Sequence, residues 1–125
     1  MDTVARLAAI VLGAVFVVAA VAKIAAGTTW VAQARELGAP TPVATVLPGL
    51  ELVVGAFLLA GLAGPVPPVV AALLLVAFSV AIARQLVDGR HPPCACFGAW
   101  SQRPLGEGHL LRNAGLIVVA LIALL

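Results

Sequence analysis

Polar residues occur along this chain in short clusters, and four long apolar runs lie between them. The runs are "LAAIVLGAVFVVAAVAKIAAG", "VATVLPGLELVVGAFLLAGLA", "VPPVVAALLLVAFSVAIARQL" and "HLLRNAGLIVVALIALL". A helix that crosses lipid needs roughly 20 mostly apolar residues, within a range of about 17 to 25. Only structures that satisfy every backbone group internally survive in hydrocarbon, which makes these runs helices. The pattern therefore predicts an all-α polytopic membrane protein. It is a four-transmembrane-helix bundle in one domain, 1–125, with spans at about 5–27, 43–63, 66–86 and 109–125. The first run has one arginine before it and small residues after it, the outline of a secretory leader. It is longer than a leader's apolar core and carries Lys23 near its end, so it reads as a span.

Composition strengthens this reading. The 125 residues are 63% hydrophobic and 10% charged, against about half and a quarter in soluble domains. Apolar side chains must then face outward as well as inward, and lipid is the solvent that tolerates them. The net charge of +2 is spread thinly, without the basic patch of a nucleic-acid binder. The expected location is the cell (plasma) membrane, multi-pass.

The connections differ. Residues 28–42, "TTWVAQARELGAPTP", read as a polar loop ending in a turn. "GPVPP" is a short reversal, and residues 87–108 form the longest loop. Four spans place the first and third connections on one side, with both termini and "GPVPP" on the other. Arg35, Arg84, Arg90 and Arg103 fall on the first side and Arg6 on the second, so the positive-inside rule puts the long loop in the cytoplasm.

Ionisable groups within spans usually face a partner or a polar cavity. Lys23 lies roughly 6 Å, and Glu51 roughly 12 Å, from the surface that carries the long loop. Arg112 and Asn113 lie just inside the fourth span from that surface. Lysine and arginine can snorkel to the headgroups, but a glutamate at this depth cannot. Glu51 follows Pro48-Gly49, a pair that loosens a helix. It suits an ion pair with Lys23 or Arg112, or proton handling.

The chain's two cysteines, Cys94 and Cys96, share the long loop in "RHPPCACFGAW". A C-x-C disulfide closes a small strained ring that is easily reduced, so it suits exchange better than permanent cross-linking. Arg90, His91 and Arg103 supply positive charge that favours thiolate. Trp100 and Phe97 suit the lipid interface. Three readings stay open on the residues alone: a redox couple, a soft-metal site using Cys94 and Cys96 with His91 and His109, and two ordinary cysteines. The one-residue spacing is not the usual zinc spacing. A non-catalytic accessory subunit of a larger membrane complex is a further alternative.

Several elements together resemble the MauE-type membrane proteins of methylamine utilisation and the related DoxX-like four-helix group. They are Lys23 ending the first span, Leu37-Gly38, "LPGLELVVGAFLLAG" from Leu47, "CACFG" from Cys94 and "LLRNAGL" from Leu110. The resemblance covers nearly the whole chain in order. It implies a four-helix membrane bundle with a thiol-disulfide role, a thioredoxin-like partner and quinone as an electron acceptor. The setting it implies is maturation of a disulfide-rich extracytoplasmic protein. That would put the cysteines outside, against the charge distribution, and the sequence leaves the side open. On this reading Cys94 and Cys96 carry the exchange of a thiol-disulfide oxidoreductase. Lys23, Glu51, Arg112, Asn113 and His91 form a supporting polar pocket. Self-association, or membership of a larger complex, stays open.

Overall fold

In the computed structural model, residues 3–36, 38–87, 89 and 107–124 are described. They form five helices: α1 (Thr3–Ala26), α2 (Thr28–Glu36), α3 (Thr41–Ala60), α4 (Val66–Val87) and α5 (Glu107–Ala123). Three of them, α1, α3 and α4, are long and apolar enough to cross a membrane. The fourth apolar helix is shorter, with its apolar part at Leu110–Ala123. At 1.5 Å per residue the whole of α5 spans about 26 Å, against roughly 30 Å of hydrocarbon.

The long helices run antiparallel to their neighbours, with α1 packed mainly on α3 and α5, and α4 mainly on α5. The core is continuous along their axis. Ala9, Leu12 and Phe16 of α1 meet Val54 and Leu58 of α3, Ala71 and Leu75 of α4, and Ala120 and Ala123 of α5. Outside this core the surface stays apolar: Leu73, Leu111 and Val118 are all more than half exposed. Such outward faces are compatible with a lipid bilayer.

At the α1–α3 crossing the two backbones come close together. A Cβ built on Gly13 would lie 2.8 Å from the Gly55 carbonyl oxygen, and one on Gly55 would lie 2.9 Å from that of Gly13. Small residues let backbones approach in this way where no hydrophobic effect drives helices together. Arg6 fixes one end of the crossing. Its guanidinium donates to the carbonyl oxygens of Leu58 (3.1 Å) and Leu59, in the last turn of α3, where the helix leaves carbonyls unsatisfied.

The connection at 28–42 departs from its reading as a loop, because most of it is the helix α2. Gly27, at φ +58°, ends α1, and the chain restarts within one residue. What folds this segment is burial of one face. Trp30 and Ala34, four residues apart, pack against Ala44 of α3 and Ile82 of α4. Nine residues with little apolar patterning do not announce a helix in sequence; tertiary packing supplies it.

α3 runs through Pro48 unbroken. A proline lacks the N–H that would bond the carbonyl four residues back, here that of Ala44. Trp30 supplies the missing donor: its indole Nε1 donates to the Ala44 oxygen at 2.7 Å. A buried donor from a neighbouring helix thus closes the gap in the ladder.

Gly13→Ala is expected to lower thermal stability in detergent. Overpacking costs about 1–3 kcal/mol, more than the gain of about 1 kcal/mol in helix propensity. Gly115→Ala, whose Cβ would meet nothing within 4 Å, should leave stability unchanged or raise it. Equal melting shifts for the two variants would contradict the close α1–α3 approach.

Candidate functional site

The antiparallel packing brings the interior polar residues to one end of the bundle, where α1 ends, α2 lies and α5 begins. Glu51 reaches this level from mid-α3, and Lys23 from the last turn of α1. The ammonium of Lys23 donates to both carboxylate oxygens of Glu51, at 3.0 and 2.8 Å. Their side chains are 1% and 4% exposed. Of the two partners open to Glu51 in sequence, the structure gives it Lys23.

Two rings cover the pair. The Lys23 nitrogen stands 5.1 Å from the centroid of the Trp30 ring and 5.2 Å from that of Phe78. Both distances are within reach of a cation–π attraction. The ammonium therefore faces a carboxylate and two ring faces in a buried site.

Beside this pair is a second polar chain. Arg112 donates to Asn113 Oδ1 from Nε (3.3 Å) and Nη2 (3.0 Å). Asn113 Nδ2 donates to Ser79 Oγ at 3.3 Å, and Ser79 Oγ donates to the Leu75 carbonyl at 2.7 Å. Asn113 is buried and Arg112 half-buried. A cavity of about 30 Å³ touches Lys23, Glu51, Arg112 and Asn113. That volume is enough for one water, which needs roughly 10–15 Å³.

His91, Cys94 and Cys96 lie outside the described residues, as do Arg90, Phe97, Trp100, Arg103 and the side chain of His109. The redox and soft-metal readings of the cysteines therefore rest on sequence. The segment that carries them joins Val87, the last residue of α4, to Glu107, the first of α5.

Sequence reasoning passed over Trp30, Phe78 and Ser79. Phe78 falls at helical spacing with Leu75 and Ile82, so its burial was available from periodicity, but its position over Lys23 was not. Ser79 follows it on the same turn, and only the packing of α4 on α5 reveals Asn113 as its partner.

Removing one member of a buried ion pair leaves a charge uncompensated, at a cost of about 3–5 kcal/mol. Glu51→Leu is expected to destabilise by that order, and Lys23→Met combined with Glu51→Leu to recover most of the loss. Denaturation midpoints of the two single variants and the double variant form a cycle. Additive losses would show that the two charges do not act as a pair.

No curated protein and no solved structure matches the chain. The family model described as "Methylamine utilisation protein MauE" matches residues 1–125. A match along the whole length shows the family, and the chain belongs to the MauE family.

Proposed function

We propose that this chain is an integral membrane thiol-disulfide redox protein, a four-span bundle of the DoxX-like kind in which α5 is the fourth span. Cys94 and Cys96 form its redox couple. The observation that carries this reading is the position of the interior charges. Lys23, Glu51, Arg112 and Asn113 gather at the end of the bundle where α4 stops and α5 starts. The sequence between those two ends holds both cysteines. Family membership supports a role in methylamine utilisation.

In the reaction, one thiolate attacks the disulfide of a thioredoxin-like partner and forms a mixed disulfide, expelling one partner thiolate. The second cysteine then attacks the mixed disulfide and expels the other. The Cys94–Cys96 pair loses two electrons and two protons, and the partner's disulfide gains them to become a dithiol. In the opposite direction the same steps reduce this pair. The interior charges at that end of the bundle tune the thiolate form of the couple, because cations stabilise thiolate and a neutralising carboxylate weakens that effect.

The resemblance also implies a quinone. The larger cleft of this chain, between α2, α3 and α4, has apolar walls and the N–H donors of Arg84 and Gln85 among its lining, which would suit a quinone's ring and carbonyl acceptors. No step is routed through it.

Differential alkylation of the purified full-length protein tests the couple. Both thiols should resist labelling after mild oxidation and label fully after dithiothreitol. Full labelling of both after oxidation would overturn the proposal.

A second measurement addresses the charges. Glu51→Gln keeps an oxygen to accept from Lys23 but removes the negative charge, so the pH midpoint of thiol alkylation should fall. Identical titration curves for wild type and variant would show that the ion pair and the thiols are not coupled.

A further inference from the structure

The helix α2 differs from the long helices in how it is held. Gly27 precedes it and Gly38 follows it, at φ +58° and +94°, and a Cβ on either would meet nothing within 4 Å. Both of its ends are completed locally. The Trp30 N–H donates to the Gly27 carbonyl, and the N–H groups of Gly38 and Ala39 donate to the carbonyls of Arg35 and Ala34, a Schellman arrangement. Among the described residues its backbone shares no hydrogen bond with another backbone in α3 or α4. One side-chain bond ties it to α3, from Trp30 Nε1 to the Ala44 oxygen. Its outward face, made of Thr28, Thr29, Ala32, Arg35 and Glu36, is exposed.

The inward face is only partly packed. Trp30 and Ala34 cluster with Ala44 and Ile82, yet the same two residues also line the cleft of about 500 Å³ between α2, α3 and α4. Gln33, three residues after Trp30, is on this face too. It is 8% exposed, and its Oε1 is buried without a hydrogen-bond partner among the described residues. A buried carbonyl without a donor costs free energy that contact with water would return. Burial of Trp30 and its indole hydrogen bond therefore hold α2 down, and an unmet acceptor on the same helix opposes them. Lifting α2 requires backbone rotation only at two glycines with open surroundings, the kind of position that serves as a hinge. The helices α1 and α3, by contrast, are pinned to each other by the Gly13–Gly55 approach and by Arg6.

We propose that α2 is a hinged lid over the buried ion pair. In the closed form Trp30 covers the Lys23 ammonium at 5.1 Å and donates to the Ala44 oxygen. In the open form the helix swings away on Gly27 and Gly38 without unwinding, and water and small polar solutes reach Lys23 and Glu51. The indole leaves the ammonium, the carbonyl and the cleft wall together, so one motion changes all three. The proposal stands independently of whether Cys94 and Cys96 cycle.

Lys23 is the only lysine in the chain, which makes its amine a reporter of opening. The full-length protein in a neutral detergent is treated with acetic anhydride, and acetylation of Lys23 is followed by peptide mass spectrometry. Trp30→Phe keeps a ring over the ammonium but leaves the Ala44 oxygen without its donor, and should speed labelling roughly tenfold. Gln33→Leu removes the unmet acceptor and should slow labelling roughly tenfold. Gly13→Ala weakens the bundle at the α1–α3 crossing, about 15 Å along α1 from Lys23, and should leave the rate unchanged, because a local opening does not pass through global unfolding. The wild-type protein provides a check that does not depend on folding of variants. Below its unfolding transition, the labelling rate should hardly rise with urea, whereas labelling through global unfolding would follow the full unfolding slope. Three results would overturn the proposal: unchanged rates in both Trp30→Phe and Gln33→Leu, an equal acceleration in Gly13→Ala and Trp30→Phe, or a wild-type rate that follows the unfolding slope.

Discussion

A lysine and a glutamate held together away from water constrain everything around them. Either charge alone inside an apolar bundle would cost several kcal/mol, and their mutual attraction offsets this only when the geometry is tight. Lys23 and Glu51 meet that condition, with both carboxylate oxygens bonded at 3.0 Å or less. Their helices must therefore be held in one register. Arg6 on the last carbonyls of α3 fixes that register at one end, and the Gly13–Gly55 approach fixes it in the middle. Trp30 and Phe78 then close the site, which requires α2 to fold over the end of the bundle and α4 to pack alongside.

The sequence showed the apolar runs because lipid leaves little freedom in composition. Accordingly α1, α3 and α4 are long and apolar enough to cross a membrane. The common level of Lys23, Glu51, Arg112 and Asn113 was also legible. Each sits a countable number of residues from the end of a run, and rise per residue converts that count into depth. Which side chain meets which was not legible, because depth carries no information about rotation around the helix axis. Glu51 had two basic residues within its level, and packing decided between them. The helix α2 was hidden for a different reason. It exists through burial of Trp30 and Ala34 on other helices, a contact that local patterning cannot express.

The bundle separates its tasks along its length. One end is mechanical, with a tight reversal and an arginine bound to backbone carbonyls. The other gathers the buried charges, a small cavity and the larger cleft. Trp30 belongs to both features of that second end. One face of its ring covers the Lys23 ammonium, and the residue also lines the cleft. By thermodynamic reciprocity, whatever fixes this indole for one of them fixes it for the other.

The shared carbonyl of Ala44 has an evolutionary consequence. Pro48 withdraws a donor from it, and Trp30 provides one from another helix. Replacing the proline with alanine would not simply repair the helix, since the restored N–H and the indole would compete for one oxygen. Replacing the tryptophan alone would leave that oxygen buried and unmet. The two positions are contingent on each other. A lineage that changes one acquires a reason to change the second, and a proline that looks like a local flaw is maintained by a residue in a different helix.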